Sequence, residues 1–186
     1  MGAGILPTTI YNNKLYFLFG KENKYADTPG WSDFGGGRDN QETFMQTALR
    51  EGTEEITGFL GMEKDISRLL KKKGTYNIDY NSSGHTPYRV HIFPMEYDAK
   101  LPFYYNNNQR FLQRNLDPKL LKNSKIFEKA EIRWISIDEL SNPKMKKQFR
   151  SYFQDIVEMI NQQNQEIEGF IRKGLNTMKN KTRKMR

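Results

Sequence analysis

The stretch GGGRDNQETFMQTALREGTEEITG, Gly35 to Gly58, puts five acids, two arginines and a glycine run into one strand–loop–helix segment. Its core reads Arg50-Glu51-Gly52-Thr53-Glu54-Glu55. Glu51, Glu54 and Glu55 are spaced i, i+3 and i+4, so a helix places all three carboxylates on one face. At an effective dielectric of about 20, each carboxylate pair near 4 Å repels by roughly 4 kcal/mol. A hard divalent cation would cancel that repulsion. Oxygen donors with no nearby Cys or His point to Mg2+ or Mn2+ rather than zinc. Taken alone, an acidic helix face is more often plain solvated surface. The context argues otherwise. The glycine run follows Trp31-Ser32-Asp33-Phe34, Glu42 lies six residues after Gly36, and Arg50 lies eight after Glu42. Met45, Ala48 and Leu49 give the helix an apolar stripe, which leaves its opposite face for metal.

The segment resembles the signature of the Nudix hydrolase family, G-x5-E-x7-R-E-U-x-E-E-x-G-U with U apolar. Gly36, Glu42, Arg50, Glu51, Glu54 and Glu55 fall on this spacing without a gap. Two positions depart from it. The first U is Gly52, and the final glycine is Gly58, with Thr57 in its place. A mid-helix Gly costs about 1 kcal/mol against Ala, so Gly52 suggests close packing on a neighbouring element. Gly58 is expected to end the helix one residue late, as a left-handed cap. Neither departure removes a carboxylate.

The resemblance implies an α/β (α+β) fold, a mixed β-sheet sandwiched between α-helices, with the signature helix beside the active site. It also implies a Mg2+- or Mn2+-dependent pyrophosphohydrolase that cleaves a diphosphate linkage in a nucleoside-diphosphate derivative. Divalent ions bridge carboxylates to phosphate oxygens and neutralise charge in such a reaction. By the matched positions, Glu51, Glu54 and Glu55 are the implied metal ligands, with the Gly35 carbonyl as a further one. Glu51 is also a candidate base. Glu42 and Arg50 are implied as a supporting pair. A remote acid is expected near the strand containing Trp134, with Glu131 favoured as a fourth catalytic residue and Glu128 the other candidate. Trp31, Phe34, Tyr104 and Tyr105 are candidates to stack a base, though core packing is the commoner fate of such aromatics. Lys21 and Lys24 are weaker candidates for substrate phosphate. His85 and His91, far apart and without partner spacing, make a poor metal pair.

The chain has 186 residues, a net charge of +8 and no cysteine. Its length suggests one domain. Disulfides and thiolate metal sites are excluded. No apolar run approaches the roughly 18 residues needed to span a bilayer, so a cytoplasmic protein without a membrane partner is expected. The charge is uneven. Of the 30 Lys and Arg, seven lie from Arg172 onward, where there is no acid, leaving 23 against 22 acids in the rest. The chain therefore divides into a domain over 1–171 and a basic tail, Arg172–Arg186, which could hold RNA. A tail of this kind suits capped RNA or an inositol pyrophosphate, so an mRNA-decapping or diphosphoinositol-polyphosphate hydrolase is the alternative substrate reading. A non-catalytic Nudix-fold RNA-binding protein is the rival of another class.

Residues 4–10 and 14–20 read as strands joined by Tyr11-Asn12-Asn13, where Asn tolerates positive φ. A helix is expected over 63–72, strands over 75–80 and 88–97, and another strand over 131–135. The segment 98–127 predicts a long loop with a short helix near 110–116. An apolar stripe from Met145 to Ile160, weaker to Ile171, predicts a C-terminal helix.

Overall fold

The computed structural model describes residues 1–81, 86–124 and 127–183, with side chains as far as Thr177. The expectations for His85, Lys184 and Arg186, and for the side chains of Lys179, Lys181 and Arg183, lie outside the described residues.

The chain opens with β1 (Gly2–Tyr11) and β2 (Lys14–Glu22), an antiparallel hairpin in which Thr8 faces Phe17. Asn12 and Asn13 make its turn at φ 47 and 62, the left-handed pair that matches strand twist. The short strands β3 (Trp31–Ser32) and β4 (Phe34–Gly37) follow, then the helices α1 (Phe44–Ile56) and α2 (Glu63–Lys73). After β5 (Tyr76–Tyr80) and β6 (Tyr88–Pro94) come α3 (Lys100–Asn115) and α4 (Pro118–Asn123). The chain closes with β7 (Lys129–Ser136), two one-turn helices α5 (Ile137–Leu140) and α6 (Pro143–Lys146), and α7 (Ser151–Gln162) and α8 (Asn164–Arg183).

The sheet is mixed. β1 runs parallel to β6 and antiparallel to β2 and β4, while β7 extends the other edge of β2. Its two faces bury separate cores. Ala48, Leu49 and Ile56 of α1, Ile66 and Leu70 of α2, and Leu101 and Tyr105 of α3 cover one face. Phe153, Ile156, Val157 and Ile160 of α7, with Ile167 and Ile171 of α8, cover the other. This is the expected mixed sheet between helices. Each fully buried aliphatic or aromatic side chain contributes about 1.5–3 kcal/mol.

Three local expectations change. The 98–127 segment is mostly helix, because Leu101, Tyr105 and Gln109 recur at i, i+4 and i+8 and are buried. Pro102 falls in the first turn of α3, where its missing N–H is tolerated. At the end of α1 the left-handed cap is Thr57 itself, at φ 51, with its N–H bonded to the Glu54 carbonyl; Gly58 follows at φ 77. Finally, α8 runs through residue 172 without a break. Arg172 pairs with Glu168 and donates to Asn13 Oδ1 at 2.7 Å, and Gly174 rests against Pro94. The basic segment therefore begins inside a packed helix rather than as a free arm.

Candidate active site

A capping box starts α1: Thr43 Oγ1 accepts from the Gln46 N–H, and Gln46 Oε1 accepts from the Thr43 N–H. The helix then lies flat on β1 because residue 52 is glycine. A Cβ there would come within 2.5 Å of Ile5 Cδ1. This close approach brings the acidic face of α1 against β4. The carboxylate of Glu51 sits directly over Gly36, where a Cβ would meet it at 2.7 Å.

Arg50 organises the exposed half of this face. It donates to both oxygens of Glu42 at 2.9 and 3.0 Å, to Glu51 Oε1 at 2.6 Å and to the Gly37 carbonyl at 3.0 Å. Its Nη1 also lies 3.7 Å from Glu54 Oε2. The Arg50 hydrogen bonds, with smaller help from the Asp39 N–H and Thr47, outweigh desolvation and hold the Glu42 pKa at about 2. One guanidinium thus ties the glycine loop to three carboxylates.

The buried half has a different counter-charge. Glu55 is almost fully buried; its Oε2 accepts from the Gly35 N–H at 2.8 Å and its Oε1 lies 3.2 Å from the Lys129 ammonium. Lys129 is completely buried at the start of β7 and also donates to Glu22 Oε1 at 2.5 Å and Ser32 Oγ at 2.8 Å. Arg150 Nη1 donates to the same Glu22 oxygen at 3.0 Å. Burial alone would lower the Lys129 pKa, but the Glu55 and Glu22 charges outweigh it and the net shift is upward. Burial raises Glu55 well above the usual carboxylate range; Lys129 opposes this, while Glu22, Glu128 and Asp33 add to it. Asp33, fully buried, is pushed up to about 7, chiefly by burial, although Lys129 and a hydrogen bond from the Tyr88 hydroxyl pull the other way.

Sequence reading missed Lys129, Glu22, Asp33 and Arg150. Lys129 reads as one more charge in a lysine-rich chain. Only the pairing of β7 with β2, with Lys129 opposite Glu22, turns it inward beside Glu55.

The remote acids separate. Glu128 lies near enough to raise Glu55. Glu131 pairs opposite Lys21 and borders a neighbouring cavity, away from the Glu51 and Glu55 contacts. Of the stacking candidates, Trp31, Phe34 and Tyr105 are core residues, and Tyr104 is exposed. The Tyr105 hydroxyl donates to the Glu55 carbonyl at 2.7 Å, which fixes α3 to the end of α1. His91 is buried in β6 with Nδ1 2.8 Å from Asn77 Oδ1, and burial with the neighbouring Arg89 lowers its pKa to about 4. No helix among the described residues is long and apolar enough to cross a membrane.

The arrangement of sheet and helices matches a solved structure. A Nudix hydrolase of M. smegmatis, RenU, superposes with a TM-score of 0.51 and 16% identity over 90% of this chain and 87% of its own. The chain has the Nudix hydrolase fold. The MutT protein of Methanosarcina mazei Go1 is 15% identical over 88% of this chain and 93% of its own, with a TM-score of 0.49. An uncharacterized protein of Acanthamoeba polyphaga mimivirus is 43% identical over 58 residues, 30% of this chain. That match spans only 19% of the viral protein. No protein-family profile matches the chain.

Within this Nudix fold, the donor chemistry suits a hard cation only in part. Glu51 offers carboxylate oxygens packed against Gly36, in the space its missing Cβ leaves, and Glu54 lies beside the same Arg50. Both oxygens of Glu55 already have partners. Among the described residues, no group of three or more His, Cys, Asp or Glu side chains is arranged to hold a metal.

Proposed function

We propose that this chain hydrolyses a diphosphate linkage in a nucleoside-diphosphate derivative, with a divalent cation. The observation that carries the reading is the Arg50 clamp, which holds Glu51 over Gly36 and beside Glu54. Glu51 and Glu54, with the Gly35 carbonyl, would hold Mg2+ or Mn2+. When bound, the ion would supply positive charge to the diphosphate and ease deprotonation of water.

The chain's own residues do the rest. Arg50 orients Glu51 through the hydrogen bond to its Oε1, and this suits Glu51 as the base. Glu42 in turn fixes Arg50. Glu55 spends its oxygens on Gly35 and Lys129, so it acts by holding the glycine loop in place. Glu128, whose charge is felt at Glu55, is the better remote acid.

The test is a pyrophosphatase screen with Mg2+ and Mn2+ over nucleotides, nucleotide sugars, capped RNA and inositol pyrophosphates. Wild-type turnover is expected on at least one class. Glu54→Gln should abolish it without lowering the melting temperature, since it also relieves carboxylate repulsion. Full turnover in Glu54→Gln would remove this assignment. RNA binding with no turnover on any class would favour the non-catalytic reading.

A further inference from the structure

Helix α3 turns one side to the sheet and the other to solvent. Leu101, Tyr105 and Gln109 are buried, whereas Phe103, Tyr104 and Phe111 are 60%, 57% and 65% exposed. With Leu120 of α4, these are four of the six large apolar or aromatic side chains exposed among the described residues. Five cations accompany them between Lys100 and Asn123, namely Lys100, Arg110, Arg114, Lys119 and Lys122, against one acid, Asp117. We propose that the outer face of α3 binds a single-stranded nucleic acid, with bases stacked on Phe103 and Phe111 and phosphates held by the cations around them. The binding does not rest on the hydrolase reading.

The pattern along the helix is the first support. Phe103, Asn107 and Phe111 recur at i, i+4 and i+8 and share one face, and Lys100 and Arg114 fall on that face by the same period. The two rings lie about 12 Å apart along the axis, the span of three to four stacked nucleotides at about 3.4 Å each. Stacking on a ring is open to every base, and Asn107 between the rings offers an amide to base edges. Charge is the second support. Surface arginines elsewhere are neutralised, Arg89 by Asp79 and Arg172 by Glu168, but α3 carries no acid. Asp117 serves as the cap of α4, accepting from the Lys119 N–H at 2.7 Å. A second copy of the chain would bring the same cations and be repelled. An interfacial membrane helix separates cations and rings onto opposite faces, whereas here they interleave on one.

The face is also held ready. Asn106 donates to the Ile132 carbonyl at 3.0 Å and accepts from the Ile132 N–H at 2.7 Å, which pins α3 to β7. Tyr105 pins the same helix to the Glu55 carbonyl. Phe103 and Tyr104 pack edge to face at 5.3 Å. A strand that docks here therefore orders little of the protein. Phe103, Phe111 and Arg114 stand on the side of α3 away from Tyr105, so the surface is separate from the carboxylate face of α1.

The experiment is fluorescence anisotropy of the full chain in EDTA, with a labelled oligouridylate and a labelled abasic strand of equal length as probes. The oligouridylate should bind. Phe103→Ala/Phe111→Ala should raise its dissociation constant about 10-fold or more, the scale of two lost base stacks, and leave the abasic strand within about 2-fold. Lys100→Gln/Arg114→Gln should weaken both probes and lower the slope of log affinity against log salt by about 1.4, or about 0.7 for each lost phosphate contact. All four side chains are exposed, so the variants should melt with the parent, which is the folding control. The basic tail is untouched in every variant, so a loss belongs to α3. The proposal fails if the oligouridylate does not bind, if the phenylalanine variant stays within about 2-fold of the parent, or if that variant loses the abasic strand equally. An unchanged salt slope in the Lys100 and Arg114 variant also overturns it. Binding to vesicles of anionic lipid without binding to the oligouridylate would give the face to a membrane instead. Every readout is taken without turnover, so the turnover screen decides the hydrolase reading separately.

Discussion

Replacing Lys129 by methionine tests the internal counter-charge. The two side chains are similar in volume and methionine adapts to irregular space, so packing changes little. The electrostatics change sharply. Glu22 keeps Arg150 at 3.0 Å, but Glu55, 2% exposed, keeps only the Gly35 N–H. Breaking a buried pair by removing one partner costs about 3–5 kcal/mol. Glu55 has one escape, which is to bind a proton. From an ordinary pKa near 4.3, protonation at pH 7 costs about 3.7 kcal/mol, which caps its share of the loss. Because Glu55 already lies well above the usual carboxylate range in the wild type, the expected deficit at pH 7 falls short of that cap, at about 1–3 kcal/mol, or a melting temperature lower by several degrees.

The pH dependence has a definite sign. Glu55 has its folded pKa raised, and losing Lys129 raises it further. Stability linked to such a group is fully present below the unfolded pKa and is lost as pH rises through the folded one. The deficit of Lys129→Met against wild type should thus shrink to below about 1 kcal/mol at pH 5. Denaturant unfolding in EDTA at pH 5, 6 and 7 measures it. The double variant Lys129→Met/Glu55→Gln should recover most of the loss at pH 7 and lose the pH dependence. A deficit under about 1 kcal/mol at pH 7, or one flat between pH 5 and 7, would refute the assignment of Lys129 as the charge that keeps Glu55 in place.

Three further outcomes are expected. Thr57→Gly should stabilise the chain by about 0.5–1 kcal/mol, because left-handed strain of about 1–2 kcal/mol is relieved against the extra entropy of glycine in the unfolded chain; thermal melting reads it, and destabilisation would show that the Thr57 side chain matters more than its φ of 51. Gly52→Ala should destabilise by about 1–3 kcal/mol through the 2.5 Å clash with Ile5, more than helix propensity returns, and the penalty should vanish in an Ile5→Ala background. A chain ending at Gly169 removes the buried Ile171 and the Gly174 contact with Pro94 and should melt earlier, whereas one ending at Thr177 should melt normally; if the tail binds RNA, the Thr177 form loses affinity and salt slope, and unchanged binding there removes the tail from that role.

The carboxylate face was legible in the sequence because a helix imposes a fixed period. Glu51, Glu54 and Glu55 must share a face, and Gly36, Glu42 and Arg50 at their spacings mark the loop that closes over it. The hairpin was legible for the same local reason, since Asn12-Asn13 names its own turn. Helix α3 was not, because its Asn run and Pro102 argue against helix locally, and burial of Leu101, Tyr105 and Gln109 overrides them. Neither was the division of the acids. Glu131 and Glu128 are equivalent as letters. Only the register of β7 against β2 turns Lys129 inward to Glu22 and Glu55 and leaves Glu131 at the cavity edge. Charge along a chain is fixed by its residues, but which charges meet is fixed by strand pairing between segments more than 100 residues apart, such as Lys129 and Glu22 at a separation of 107.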